Sequence, residues 1–130
     1  MKALLGCAVL GLTLLTGAAC GDSAPACRAA GTKLLGTIAS GSKMDGLTLT
    51  SGSTLESPDH KGTYVVAAKA KVKNGPERVG VWTTSNLQGE GAVYAVDSVA
   101  QQLTSFGESS QVDSGVTTAD KVVGQVKGCL

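Results

Sequence analysis

The sequence predicts an α+β domain, in which an antiparallel sheet of three or four strands packs on terminal helices joined by a disulfide. Three observations support this prediction. In residues 63–73, apolar side chains at every second position from Tyr64 to Val72 alternate with lysines at positions 69, 71 and 73. Apolar stripes with helical spacing lie near both ends of the domain, and each stripe includes a cysteine, Cys27 or Cys129. Alternation is typical of a half-buried strand, whereas spacings of three and four are typical of a helix.

The first helix is predicted over residues 26–39. Apolar side chains recur there at helical spacing and share one face, namely Cys27, Ala30, Leu34 and Ile38. Two glycines, Gly31 and Gly36, reduce the stability of this helix by about 1 kcal/mol each relative to alanine. Ser40-Gly41 is expected to end it.

The first strand is predicted over residues 44–56. Leu47, Leu49 and Leu55 are separated by even numbers of residues, so we expect them on one face of the sheet. Gly52 is expected to mark a bulge or a bend. Residues 57–62 contain Pro58 and Asp59 in positions that favour a turn.

The clearest strand is residues 63–73, where a row of lysines faces away from the apolar side chains. This lysine row consists of Lys69, Lys71 and Lys73. The alternation predicts a sheet with one face in water. The row could instead protect an edge strand or contact anionic lipid. We favour a solvated face.

The remaining elements are a third strand, a fourth segment and a final helix. Residues 78–84 form the strand, with Trp82 facing away from its valines. Residues 92–96 are predicted to be a fourth strand or the start of a helix. The chain is expected to be helical from Asp97 at the latest. Thr117-Thr118-Ala119-Asp120 resembles a capping box. The stripe that follows consists of Ala119, Val122, Val123 and Val126, and Cys129 continues it. We expect the two terminal helices to pack side by side on one face of the sheet.

The N-terminal residues have the organisation of a signal peptide. Lys2 precedes an apolar run of about 13 residues, and small side chains follow this run. Spanning a bilayer takes about 20 apolar residues, so the run is too short for a transmembrane helix. Residues 1–19 are therefore interpreted as a signal peptide and excluded from the fold.

Gly17-Ala18-Ala19-Cys20 resembles the processing site of bacterial lipoproteins, and residues 57–64, 80–82 and 94–97 are similar to small lipoproteins of high-GC actinobacteria. The resemblance implies that Cys20 carries diacylglycerol and begins the mature chain. Residues 20–26 would be a lipidated tether, and residues 27–130 a single domain at the extracellular face of the cell membrane. The resemblance implies no activity. Ordinary secretion is the alternative, because the same small residues also suit simple cleavage.

The cysteine count predicts one disulfide. Cys7 is expected to leave with the signal peptide and Cys20 would be blocked by lipid, so Cys27 and Cys129 remain. An exported pair of cysteines usually forms a disulfide. A redox or metal role is disfavoured, since the pair lacks a CxxC spacing and nearby histidines.

Composition argues against nucleic-acid binding and catalysis. Without Lys2 the chain has ten basic and ten acidic residues, and it has only four aromatic side chains for stacking bases. His60, the only histidine, is expected to be a solvated loop residue, so we expect no metal site and no cofactor. Ser40-Gly41-Ser42-Lys43 matches the S-x-x-K pattern by chance, because its partner motifs S-D-N and K-T-G are absent. We expect no enzyme.

Trp82 and Tyr94 are candidate partner-binding residues, because they flank a loop at residues 85–91. If exposed, they could anchor a protein or a sugar. The favoured alternative is burial in a core of small side chains. The expected function is that of an exported, lipid-anchored binding or envelope-interaction module with an extracellular or envelope partner. The alternative is a secreted inhibitor or immunity-type protein.

Overall fold

The computed structural model describes residues 26–112 and 115–130 of the chain. The predicted signal peptide and Cys20 lie outside the described residues. The elements, in chain order, are β1 (Arg28–Ala29), α1 (Thr32–Ser40), β2 (Thr48–Glu56), β3 (Tyr64–Lys71), β4 (Arg78–Thr84), β5 (Val93–Ala95), α2 (Ser98–Leu103), a 3-10 turn (Ser109–Gln111) and α3 (Lys121–Lys127). Within the described ranges, none of the helices has the length and apolar character needed to cross a membrane.

The five strands form one antiparallel sheet in the order β1-β2-β3-β4-β5. The predicted α+β class, the antiparallel sheet and the bounds of β4 are confirmed. The sheet has one strand more than the largest number predicted. The added strand is β1, which has only two residues and pairs with Thr54 and Ser53 of β2.

Helices cover both faces of this sheet, which are named here by the helices on them. On the α1 face, α1 and α2 pack over Val66, Ala68 and Trp82. On the α3 face, α3 packs over Val65 and Ala67. The expectation that the terminal helices lie side by side on one face, with the other face in water, is therefore wrong.

The reason lies in β3, whose lysine-bearing side changes character along the strand. Val65 and Ala67 are apolar and have no exposed surface, while Lys69 and Lys71 follow on the same side. Since α3 covers only the apolar half, the α3 face is dry at one end and wet at the other. The expected alternation of apolar residues with lysines is correct for the second half of β3. In the first half, the side that later carries the lysines is apolar and buried.

The first helix begins later than predicted because the chain before it pairs with β2. The backbone N–H of Ala30 donates to the carbonyl of Gly52 at 2.9 Å, and Gly31 precedes α1 in an extended conformation. Cys27 and Ala30 are consequently outside the helix. The buried side of α1 consists of Leu34, Leu35 and Ile38.

β2 contains the predicted irregularity, but at another position. Its register against β3 shifts between Leu49 and Ser51, not at Gly52. Because a one-residue shift reverses the side to which later side chains point, Leu49 packs on the α1 face and Leu55 on the α3 face. The expectation that these leucines share a face is wrong.

The last helix begins at Lys121, after the turn that the sequence predicts as a cap. The carboxylate of Asp120 accepts a hydrogen bond from the Thr117 backbone N–H at 3.0 Å, so the bond closes the turn in front of the helix. Ala119 is exposed and does not belong to the buried stripe. The three valines of the stripe, Val122, Val123 and Val126, are buried as expected.

Candidate functional site

The predicted disulfide is present and joins Cys27 to Cys129, which are 102 residues apart in the chain. It does not link two helices. Cys27 immediately precedes β1, and Cys129 lies just beyond the end of α3. The hydroxyl of Ser53 in β2 donates to the Cys129 carbonyl at 3.4 Å. The disulfide therefore fastens the short edge strand and the last helix to the same part of the sheet.

Trp82 is a core residue, and its predicted alternative role in partner binding is wrong. Its side chain has no exposed surface. The indole nitrogen donates to Thr104 Oγ1 at 3.0 Å, and that hydroxyl donates to the Ala100 carbonyl at 2.7 Å. Gly80 makes room for the ring, because a Cβ there would lie 2.6 Å from a carbon of the indole. Burial, the favoured expectation, is correct.

Tyr94 is partly buried and lies on the opposite face of the sheet from Trp82. Trp82 pairs with Ala95, whereas Tyr94 pairs with Thr83. Because paired residues point to the same side and neighbours along a strand point to opposite sides, the two aromatic rings cannot form one surface. The structure does not bring together the residues singled out as a partner-binding pair.

A different set of side chains lines a groove where β1 meets the sheet. This edge groove is defined by residues from three strands and one loop, namely Arg28, Thr54, Glu56, Tyr64 and Leu87. Arg28 pairs with Thr54, and Glu56 pairs with Tyr64, so these four side chains share the α1 face. Leu87 comes from the loop between β4 and β5. The groove continues towards the start of α1 past Ala30 and Leu34.

The groove combines a cation, an anion, an aromatic ring and an aliphatic side chain. The Thr54 hydroxyl donates to the Arg28 carbonyl at 3.3 Å, which holds the β1 backbone in place. Glu56 accepts a hydrogen bond from the Gly62 backbone N–H at 3.2 Å. Within the described residues, the Arg28 guanidinium makes no ion pair. Arg28 and Glu56 are exposed, whereas Tyr64 and Leu87 are half-buried.

The size of the groove indicates what it can hold. The groove has a volume of about 270 Å³. Pockets for drug-sized ligands usually have about 300–1,000 Å³ and enclose most of the ligand. The groove is therefore better suited to one or two side chains of a macromolecular partner than to a small substrate. A wider hollow of about 540 Å³ lies beside the disulfide, but its lining is mainly small residues such as Ala29, Ser51 and Gly52.

The candidate catalytic residues are not assembled into a catalytic group. His60 Nε2 lies 4.0 Å from Asp120 Oδ2, a contact between the β2–β3 turn and the residue before α3. In the S-x-x-K segment, the Ser40 hydroxyl donates to the Thr37 carbonyl at 2.6 Å, and Lys43 is exposed. Among the described residues, no three His, Cys, Asp or Glu side chains are grouped so that they could bind a metal ion.

Comparison with protein-family models, curated proteins and solved structures finds no match to this chain. The function must therefore be argued from the residues of the chain itself.

The sequence contains only a partial signal for the edge groove. The alternation in β3 correctly places Tyr64 on the side of Val66. That Tyr64 stays partly exposed could not be read from the pattern, because it depends on where α1 begins and how Leu87 packs. Both are set by contacts between distant parts of the chain.

Proposed function

We propose that this chain is an exported, lipid-anchored domain that binds a partner outside the cytoplasm and has no catalytic role. The observation that supports export most directly is the Cys27–Cys129 disulfide. Disulfides persist in oxidising compartments and are rare in the cytoplasm. The signal peptide predicted for residues 1–19 provides the matching export signal.

The anchor proposal adds a lipid on Cys20. Its support is the sequence Gly17-Ala18-Ala19-Cys20, which places a cysteine directly after small residues. Cys27 and Cys129 are bonded to each other, so neither of them is a disulfide partner for Cys20. Two acyl chains hold a protein stably on a bilayer, whereas one chain binds only marginally.

The binding proposal rests on the edge groove. Aromatic and arginine side chains contribute a large share of binding energy in protein interfaces. In the edge groove, Arg28 supplies an arginine side chain and Tyr64 an aromatic one, and Leu87 lies beside them. We propose that an envelope or extracellular protein inserts side chains here.

The intact mass of the protein from membranes tests the anchor. We expect a chain that begins at Cys20 and carries a diacylglycerol-sized addition, which is lost in the Cys20→Ala variant. An unmodified chain in the soluble fraction would contradict the anchor. It would favour the alternative, a secreted inhibitor or immunity-type protein.

Site-specific photo-crosslinking tests the groove. A photoreactive amino acid at Leu87 should give a discrete adduct in intact cells. The same amino acid at Met44, which is 44% exposed and lies outside the groove, is the matched control. Arg28→Glu in the Leu87-labelled chain should suppress the adduct, because it reverses the charge of the one cationic side chain among the described residues that line the groove. Identical adducts from Leu87 and Met44 would contradict a groove-specific partner.

A further inference from the structure

We infer that the α3 face of the domain rests on the anionic surface of the membrane into which its lipid is inserted. The contact is made by a lysine face, defined by Lys69, Lys71, Lys121 and Lys127. This inference rests on the lipid anchor proposed above and adds an orientation to it. The partner is a phosphate-bearing lipid surface.

Two of these lysines come from the uncovered half of β3. Lys69 pairs with Ser51 and Val79 across the sheet, and Lys71 follows two residues later on the same side. β3 is the third of five strands, so its lysines do not protect an edge. Lys71 is exposed and Lys69 half-exposed. The edge-protection alternative is thus removed, and a basic surface inside the sheet remains to be explained.

The other two lysines come from α3, which packs on the same face. Its sequence, Lys-Val-Val-Gly-Gln-Val-Lys, has two exposed lysines and no acidic residue. The three valines are buried against the sheet, so the lysines lie on the outer surface and its flank. The helix α3 and the uncovered half of β3 therefore both present positively charged lysines.

Two acidic side chains lie away from the lysine face, whereas Asp120 directly precedes Lys121 and its carboxylate accepts a hydrogen bond from the Thr117 backbone N–H. Glu56 is in the edge groove on the α1 face, and Glu90 forms an ion pair of 3.4 Å with Lys33 of α1. Within the described ranges, no lysine of the lysine face makes an ion pair. Lys73 is left out because its backbone N–H bonds the carbonyl of Asp45 at 3.2 Å, which brings an acidic residue beside it. The α3 face thus carries four lysines, and its neighbouring carboxylate, Asp120, is already hydrogen-bonded to the chain.

The attachment point of the tether lies on this same side. Cys27 packs against the residues of the α3 face and is bonded to Cys129 after α3. The seven residues of the tether, 20–26, reach at most about 25 Å when extended. A lipid on Cys20 therefore holds this side within reach of the headgroups. The edge groove, on the opposite face, is then directed away from the membrane and open to a partner.

Vesicle binding without the lipid tests this orientation. The protein is the processed chain, residues 20–130, carrying Cys20→Ala, and the probes are vesicles of phosphatidylglycerol or of phosphatidylcholine. At low ionic strength we expect binding to phosphatidylglycerol only. Each lysine near an anionic surface strengthens partitioning about fivefold. Lys71→Gln/Lys127→Gln should therefore weaken binding by about ten- to thirtyfold.

The matched control is Lys33→Gln/Lys43→Gln, which removes the same charge from two exposed lysines outside the lysine face. It should change binding by less than about threefold, because neither lysine belongs to the lysine face. Absence of phosphatidylglycerol binding, or equal losses in both double variants, would overturn the inference. Every sample in this experiment carries Cys20→Ala, so the vesicle result does not depend on lipidation. The lipid anchor is tested separately by the intact mass.

Discussion

The indole nitrogen of Trp82 and the hydroxyl of Thr104 form a hydrogen bond of 3.0 Å inside the core of the α1 face. Neither side chain has more than 1% exposure. Thr104 follows α2 directly, so this bond fixes the end of that helix against the centre of β4. The largest side chain in the core is thereby held by a polar contact as well as by packing.

Thr104→Val should lower the free energy of unfolding by about 1–3 kcal/mol, because a buried N–H would lose its acceptor. Urea unfolding followed by the fluorescence of the single tryptophan measures this loss. Thr104→Ser, which keeps the hydroxyl, is the control and should cost less than Thr104→Val. Equal losses would show that the methyl group contributes as much to stability as the hydrogen bond.

Thr83→Val should have the opposite effect. The Thr83 hydroxyl is buried and has no hydrogen-bond partner among the described residues. An unsatisfied buried hydroxyl is unfavourable, and valine has nearly the same shape. We expect a gain of about 1 kcal/mol in the urea unfolding experiment. A loss of stability would mean that the hydroxyl has a partner in solution.

Removing the disulfide should destabilise the domain strongly. A closed loop of about 100 residues contributes at most about 4–5 kcal/mol through the entropy of the unfolded chain. The double variant Cys27→Ser/Cys129→Ser should approach that loss, and a reducing agent should reproduce it in the unchanged chain. The reducing agent should have no further effect on the double variant. A loss below about 1 kcal/mol would show that β1 and α3 hold their places without the disulfide.

Gly36→Ala should stabilise the domain by about 0.5–1 kcal/mol, since glycine inside a helix costs this much relative to alanine. The position lies within α1, and a Cβ there would have no atom within 4 Å. Thermal unfolding monitored by circular dichroism measures the change. A lower melting temperature would contradict the open surface seen at this position.

Gly52→Ala, in β2, should instead destabilise by about 1–3 kcal/mol, the usual cost of overpacking. A Cβ at this position would lie 3.1 Å from each of three atoms, which belong to Ala30, Ala67 and Leu35. The same thermal unfolding experiment compares it with Gly36→Ala. If Gly52→Ala were neutral, α1 would be able to move away from β2 at little cost.

The parts of the fold that could be predicted depend on local pattern. The sides of the sheet to which the side chains of β3 and β4 point are as predicted. β1 could not be predicted, because a two-residue strand has no period and its pairing joins Arg28 to Thr54 across α1. The sequence pattern also could not predict that Leu49 and Leu55 lie on different faces, because the register shift between them depends on pairing with β3.

The candidate site was harder to predict than the fold. The disulfide between Cys27 and Cys129 could be predicted from the number of cysteines and the expected export of the chain. This prediction is confirmed. The aromatic residues near the 85–91 loop suggested a shared surface, yet Trp82 and Tyr94 point to opposite faces of the sheet. The edge groove depends on Leu87, a loop residue whose position no periodicity determines.

The order of the strands also has a consequence for the order of folding. Each strand pairs with its neighbour in the chain, and the stretch from β2 to β5 contains neither Cys27 nor Cys129. Short sequence separations between contacting residues favour fast folding. On the export route proposed above, the central meander can therefore form while the chain is still emerging from the export channel. Cys129 emerges after all five strands, so the disulfide would close on a sheet that already exists and would retain the native structure rather than direct its formation.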